Sequence, residues 1–259
     1  MTEIITSTQN QHVKLAHNLQ NKARTRRKER KIVLEGTRLI GDATAQGYKP
    51  LYVLYETSSA DYNLIAELQN FNVTLIAVSA DVMQHISDTQ QPQGIVAVYP
   101  LPMPRLPQQA QRLVILDAVR EPGNLGTILR TAAASGVQVV LLAPGCVDPY
   151  NPKVLRAGMG AHFRVPVIEA QWAQIAEYTQ TIGVYLAAGN SEKVYTEIDW
   201  RQAWALVIGN EAHGISEANQ YLDATPIRVP MAAATESLNA AVATGVILFE
   251  AQRQRSNKP

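Results

Sequence analysis

Cysteine is almost missing from this chain: Cys146 is the one thiol in 259 residues. It forms no internal disulfide, so nothing points to an oxidising compartment. It also excludes a zinc cluster built on cysteines, and the HExxH spacing of a helical zinc site is missing too, so no metal is expected. No apolar run is long enough to span a bilayer. The opening MTEIITSTQNQHVKL lacks the apolar core of a secretory signal. The expected compartment is the cytoplasm, with no membrane partner. Three glycine signatures are missing as well. Without GxGxxG after a strand a dinucleotide site has no support, without GxxxxGK[ST] there is no P-loop, and without GxSxG there is no α/β-hydrolase elbow.

Charge of one sign is also scarce overall. The 23 Lys and Arg nearly balance the 22 Asp and Glu, so the whole chain does not announce a nucleic-acid partner. Local charge does. Lys14, Lys22, Arg24, Arg26, Arg27, Lys28, Arg30 and Lys31 fall within eighteen residues that carry Glu29 as their acid. A concentrated patch can hold phosphates while the protein stays near neutral. The plain alternative is a solvated helix face.

With 46% hydrophobic residues, a packed core is within reach. Pro100, Pro102, Pro104 and Pro107 mark a linker, which divides the chain into residues 1–105 and 106–259. In the first part residues 10–28 read as a polar helix. KIVLEG, LYVLYE, VTLIAV and GIVAVY read as strands. TRLIGDATAQG reads as a helix with Thr37 as N-cap and Gly47 as stop, and DYNLIAELQ as another helix. In the second part LVILDAV, VQVVLLA, GVYLAAG and ALVIGN are short apolar runs of the kind found in parallel strands buried on both faces. SLNAAVATGVILFEAQRQR reads as a packed C-terminal helix, with Val242 and Phe249 among its inward positions. Strands alternating with helices indicate an α/β protein.

Three segments at strand ends could carry chemistry, because ligands of open α/β sheets bind there. In LDAVREPGNLGTILRTAAASG, Asn124 is placed to cap a helix that starts near Leu125, and Arg130 follows within two turns. The same pattern describes a capped helix with a surface arginine. In WALVIGNEAHGIS, Gly209 and Gly214 bracket a polar turn containing Glu211 and His213. Glu211 reads either as a solvated carboxylate or as a positioned contact. In VPMAAATESLNAAVATG, Ser237, Leu238 and Asn239 open the last helix, where Ser237 is either a plain N-cap or a ligand contact.

Taken in this order, NLGTILR, VIGNEAHGIS and VPM with ESLNAAVATG resemble the SpoU family of RNA ribose methyltransferases, within the SPOUT superfamily. KIVLEGTRLIGDA and QPQGIVAVY resemble the substrate-binding domain often fused in that family, itself similar to ribosomal L30-type RNA-binding domains. The resemblance implies a parallel-sheet domain with a trefoil knot, a homodimer, and S-adenosyl-L-methionine held near Gly189, Ile208, Gly209, Val229, Met231, Leu238 and Asn239. It implies that Asn124 shapes the catalytic loop, that Arg130 lies beside the target ribose, and that Glu211, Ser237 and Asn239 supply the remaining polar groups. Ala233 stands where a glycine is common, and Ala240-Ala241 where Val-Ser is common, which alters packing beside the cofactor.

The expected activity is transfer of a methyl group to a ribose 2′-hydroxyl of structured RNA. Ribosomal RNA is favoured over transfer RNA, because a separate docking domain suits a large folded substrate, and the 23S type is the expected one. Lys22, Arg24, Arg26, Arg27, Lys28 and Arg38 are the expected RNA contacts. Arginine stays protonated in proteins, so Arg130 either orients the hydroxyl and binds a phosphate or accepts a proton in a dry site; the first is physically easier. The alternatives are a transfer RNA ribose methyltransferase and a non-catalytic RNA-binding ribosome-assembly factor.

Overall fold

The computed structural model describes residues 4–209, 218–232 and 237–256. It divides into two compact units. The first holds residues 1–103 and 150–163, the second 104–149 and 164–259. In chain order the first unit contributes α1 (Gln11–Asn21), α2 (Ala23–Glu29), β1 (Lys31–Glu35), α3 (Thr37–Ala45), β2 (Tyr52–Glu56), α4 (Tyr62–Asn70), β3 (Thr74–Val78), α5 (Ala80–Ile86) and β4 (Ile95–Pro100). The second begins with β5 (Arg112–Leu116), α6 (Pro122–Ala134) and β6 (Val139–Leu142). Helix α7 (Pro152–Gly158) belongs to the first unit. Then come β7 (Val167–Glu169), α8 (Trp172–Thr179), β8 (Gly183–Ala187), β9 (Trp204–Ile208), α9 (Ala218–Tyr221), β10 (Ala224–Ile227) and α10 (Ala240–Ser256).

The first unit is a four-stranded sheet in the order β1-β4-β2-β3, covered on both faces. Successive strand residues alternate between the two layers, as the pleat requires. Ile32, Leu34, Val53, Ile95 and Ala97 face a cluster shared with Leu39 and Ile40 of α3 and Leu64 and Leu68 of α4. Val33, Leu54, Val96 and Val98 face the opposite cluster, with Val13 and Leu19 of α1 and Val82 and Ile86 of α5.

Two sequence expectations differ here. The single helix over 10–28 breaks at Lys22, whose extended backbone ends α1 and opens α2. Thr37 is the first residue of α3 rather than its cap. Gly36, at φ 92°, is the cap residue, and Gln93 Oε1 accepts the Thr37 N–H at 3.1 Å. Gly47 does end that helix, at φ +81°.

Arg26 departs from the basic patch for a physical reason. It is 4% exposed, and Nη1 donates to the carbonyls of Leu19 (2.6 Å) and Gln20 (3.2 Å), tying α2 to the end of α1. A guanidinium so buried serves the fold and does not face solvent. Arg26→Ala is expected to cost about 1–3 kcal/mol of stability, because two carbonyls lose a charged donor. Chemical denaturation reads this directly; an unchanged midpoint would contradict it.

The second unit is a six-stranded sheet in the order β10-β8-β9-β5-β6-β7, with every pair parallel. Leu113, Ile115, Val139, Leu141, Val184 and Val207 pack with Trp172 and Ile175 of α8. The alternate residues Val114, Leu116, Val140 and Leu206 are just as buried, which explains the unbroken apolar runs. Pro226, which has no N–H, sits in the edge strand β10. Helices α6 and α10 pack together, and Gly245 sits against Thr131 at the crossing.

Candidate active site

All six strands run the same way, so their carboxyl ends form one edge of the sheet. A cavity of about 620 Å³ opens there, past the ends of β8, β9 and β10. Its walls include Leu186, Ile208, Met231, Leu238 and Ile247, with Asn190, Arg228 and Ser237 among the polar residues. Helix α10 closes one side through Ala240, Ala243 and Ile247. Backbone bonds brace the floor: the Ala188 N–H donates to Ile227 O (2.8 Å), and the Asp117 N–H to Ile208 O (2.9 Å).

The sequence-derived cofactor residues come together here. Gly189, Ile208, Gly209, Val229, Met231 and Leu238 all line this one cavity, and so does Ser237. The turn residues Ala188 and Asn190 and the α10 residues Ala240 and Ala243 line it too, without standing out in the sequence. The GVYLAAGN run signals the first two, since residues just past a buried parallel strand face the ligand edge. Ala240 and Ala243 give no signal beyond helical spacing.

Asn124 and Asn239 meet directly. Asn239 Nδ2 donates to Asn124 Oδ1 at 2.8 Å. A second set of bonds orients Asn239. Its Oδ1 accepts the N–H groups of Ala241 (2.9 Å) and Val242 (3.3 Å), so Asn239, not Ser237, caps α10. Asn124 is likewise not the cap of its own helix. Helix α6 starts three residues earlier than expected, at Pro122, and Glu121 is the cap residue, its carboxylate accepting the Asn124 N–H at 2.7 Å. Relieved of capping, the Asn124 side chain reaches across to α10.

Arg130 lies on the exposed face of α6 and is not among the described residues that line the cavity. Six residues separate it from Asn124, about 9 Å along the helix and about a third of a turn round it. Glu211, His213 and Ala233 lie outside the described residues. In the first unit Lys22, Arg24, Arg27, Lys28 and Arg38 are exposed or partly exposed, in contrast with Arg26.

Cys146 is poorly suited to nucleophilic chemistry. Burial pushes its thiol up to about 11, and the nearby Asp117 and Glu169 charges push the same way. The thiol therefore stays protonated at neutral pH, and its Sγ lies 3.2 Å from Leu116 O. Among the described residues no group of three or more His, Cys, Asp or Glu could hold a metal ion. No described helix is long and apolar enough to cross a membrane.

The cavity suits S-adenosylmethionine. Pockets of this size enclose a nucleoside with a short side arm. Apolar walls with backbone groups at strand ends fit an adenosine with a methionine arm better than a pyrophosphate.

Comparison with known proteins agrees. Residues 111–249 match the SpoU rRNA Methylase family, and residues 10–97 match the MRM3-like substrate binding domain. The chain is 32% identical to the 23S rRNA (guanosine(2553)-2′-O)-methyltransferase RlmP of Bacillus subtilis, over 95% of this chain and 97% of that one. It is 34% identical to human mitochondrial rRNA methyltransferase 3, over 88% of this chain and 69% of the relative. Among solved structures, an AdoMet-bound rRNA methyltransferase from Sinorhizobium meliloti superposes with TM-score 0.85 at 30% identity, covering 97% of this chain and 98% of that one. The chain belongs to the SpoU rRNA methylase family and is an S-adenosylmethionine-dependent RNA methyltransferase with an MRM3-like substrate-binding domain.

Proposed function

We propose that this protein methylates a ribose 2′-hydroxyl of ribosomal RNA, of the 23S type, and works in the cytoplasm as a homodimer. One observation carries the reading. The two asparagines of the first and third motifs are hydrogen-bonded to each other, and the residues flanking Asn239, Leu238 and Ala240, line the cofactor cavity. The relatives named above act on ribosomal RNA, and the Bacillus subtilis relative acts on a ribose oxygen of 23S rRNA.

When bound, S-adenosylmethionine supplies a methyl group already activated by its sulfonium. What falls to the protein is alignment, exclusion of water and handling of the hydroxyl proton. Gly189, Ile208, Gly209, Val229, Met231 and Leu238 hold the cofactor through backbone groups and apolar contact. Asn239 caps α10, and its bond to Asn124 sets the first turn of α6 against the start of α10. Ser237, on the cavity wall, and Glu211 supply polar contacts to the reacting groups. Arg130 binds the phosphate next to the target ribose and orients the hydroxyl. A protonated guanidinium is suited to that role and poorly suited to accepting a proton.

RNA docking falls to residues 1–105 and transfer to residues 106–259. Lys22, Arg24, Arg27, Lys28 and Arg38 hold RNA phosphates. Replacing Lys22, Arg24 and Lys28 by Gln is expected to weaken RNA binding at every salt concentration. It also flattens the plot of log affinity against log salt, by about one unit per lost contact. An unchanged slope would remove this face from the RNA site.

Homodimerisation is supported by a second apolar stripe on α10. Val242, Val246 and Phe249 are 53%, 36% and 51% exposed in the single chain, at spacings of four and three that place them on one helix face. Val242 and Phe249 thus depart from the inward positions that their helical spacing predicts. A trefoil knot in the C-terminal part is supported by the strand order, in which β10 lies beyond β8, and by a cavity walled by the ends of β8, β9 and β10.

The test incubates purified protein with ribosomal RNA and methyl-labelled S-adenosylmethionine, then digests the RNA to nucleosides. Label in a 2′-O-methylnucleoside is expected, lost when the target carries a 2′-deoxyribose. Label on a base would overturn the assignment.

A further inference from the structure

The hydrogen bond between the side-chain amides of Asn124 and Asn239 needs Asn124 to be held in place, and Glu121 helps to hold it. Glu121 lies outside α6, just before Pro122, and its Oε2 accepts the Asn124 N–H at 2.7 Å. Its carbonyl accepts the Leu125 N–H at 3.1 Å. Glutamate is not among the favoured N-cap residues, because its longer side chain must fold back to reach the third residue. Room for that fold comes from Gly123. A Cβ there would stand 2.8 Å from Glu121 Oε2 and 3.5 Å from its carboxyl carbon. Gly123 has no positive φ that would demand glycine, and in the first turn of a helix alanine is otherwise preferred. A side chain at 123 would have to displace the end of the Glu121 side chain, which glycine leaves in place.

We propose that Glu121, admitted by Gly123, is a positioning residue of the methyltransferase. It fixes the first turn of α6 so that Asn124 meets Asn239 on α10, and so keeps the helix that carries Arg130 in register with the helix that walls the cofactor cavity. Asn239 bonds both to the first turn of α10 and to Asn124. Displacing Asn124 therefore leaves the α10 cap intact, and the packing of α6 on α10 with it, but removes the hydrogen bond that sets the start of one helix against the start of the other. Cofactor binding, which uses the cavity alone, should survive; alignment of the RNA hydroxyl should not. This inference rests on the reading that Asn124 and Asn239 belong to the active site.

Three variants of the full chain test it. Glu121→Ala removes the acceptor. Gly123→Ala leaves the acceptor but pushes aside the flexible end of its side chain, on a backbone that welcomes alanine. Glu121→Gln keeps an acceptor oxygen of the same reach. Expected are kcat values about tenfold lower for the two alanine variants, with the dissociation constant for S-adenosylmethionine within about twofold of wild type. Glu121→Gln should restore kcat to within about threefold of wild type. Exchange of the Asn239 side-chain amide protons, followed by NMR, should speed up by about tenfold in both alanine variants and return with Gln. That readout needs no turnover, so it decides the inference even if no RNA accepts a methyl group. Unchanged exchange in both alanine variants would overturn the proposal. So would a loss of kcat that tracks a fall in melting temperature and is not restored by Gln.

Discussion

Arg130→Ala is expected to lower kcat by about three orders of magnitude, while the dissociation constant for S-adenosylmethionine stays within about twofold. The separation follows from position. Arg130 sits on the exposed face of α6, apart from the residues that line the cavity, so removing its side chain leaves the cofactor walls as they were. What is lost is the positive charge that the proposed function sets beside the target ribose. On the proposed role, its removal leaves the RNA phosphate without its counter-charge and frees the hydroxyl to rotate. Lysine in its place keeps the charge but not the planar fork, so Arg130→Lys should recover only part of the lost turnover. Kinetics with saturating cofactor check both. Near-normal turnover by the lysine variant would sink any role that needs two parallel donors.

The second large effect concerns the cavity. Ala243 lines it from α10, in a helix otherwise held by buried Ala241, Thr244, Ile247 and Leu248. Ala243→Phe places a ring in the proposed cofactor cavity, beside Ile247 on the same wall and away from the buried Ala241, Thr244 and Leu248. Affinity for S-adenosylmethionine should fall about a hundredfold by calorimetry, with the melting temperature of the unliganded protein nearly unchanged. RNA affinity should not move, because the basic residues assigned to docking lie in the first unit. Normal cofactor affinity in this variant would place the cofactor elsewhere.

Much of the fold is legible in the chain, and the gaps have physical causes. The strands are readable because nearly every residue of β5, β6 and β9 is buried, which leaves an unbroken apolar run. Gly189, Gly209 and Leu238 are placed at a common site by the family resemblance; strand-end position alone would reach Gly189 and Gly209, which follow β8 and β9, but not Leu238, which precedes α10. Helix caps are harder. Thr37, Asn124 and Ser237 all have good capping side chains, yet the caps are Gly36, Glu121 and Asn239. Local preference among adjacent candidates is worth only about 1 kcal/mol, so tertiary contacts decide. The Asn124–Asn239 bond spans 115 residues, and no local pattern announces it.

The linker at 100–107 marks one passage between units, but residues 150–163 are not separable in sequence from what surrounds them. Leu155 and Phe163 join the core of the first unit, although they lie between strands of the second. Their hydrophobicity shows that they are buried, not against which sheet. Arg26 is the converse case: a basic run reads as uniform charge, whereas folding turns one member inward to close the α1–α2 junction.

The most direct test is a map of 2′-O-methylation across ribosomal and transfer RNA from cells lacking this gene, with and without the gene restored, and with the Arg130→Ala variant in its place. One 23S-type ribosomal site that vanishes with the gene, returns with the wild type and stays absent with the variant is the expected result. A ribosomal methylation map that does not change, or a site restored equally well by Arg130→Ala, would contradict a catalytic role in ribosomal RNA methylation.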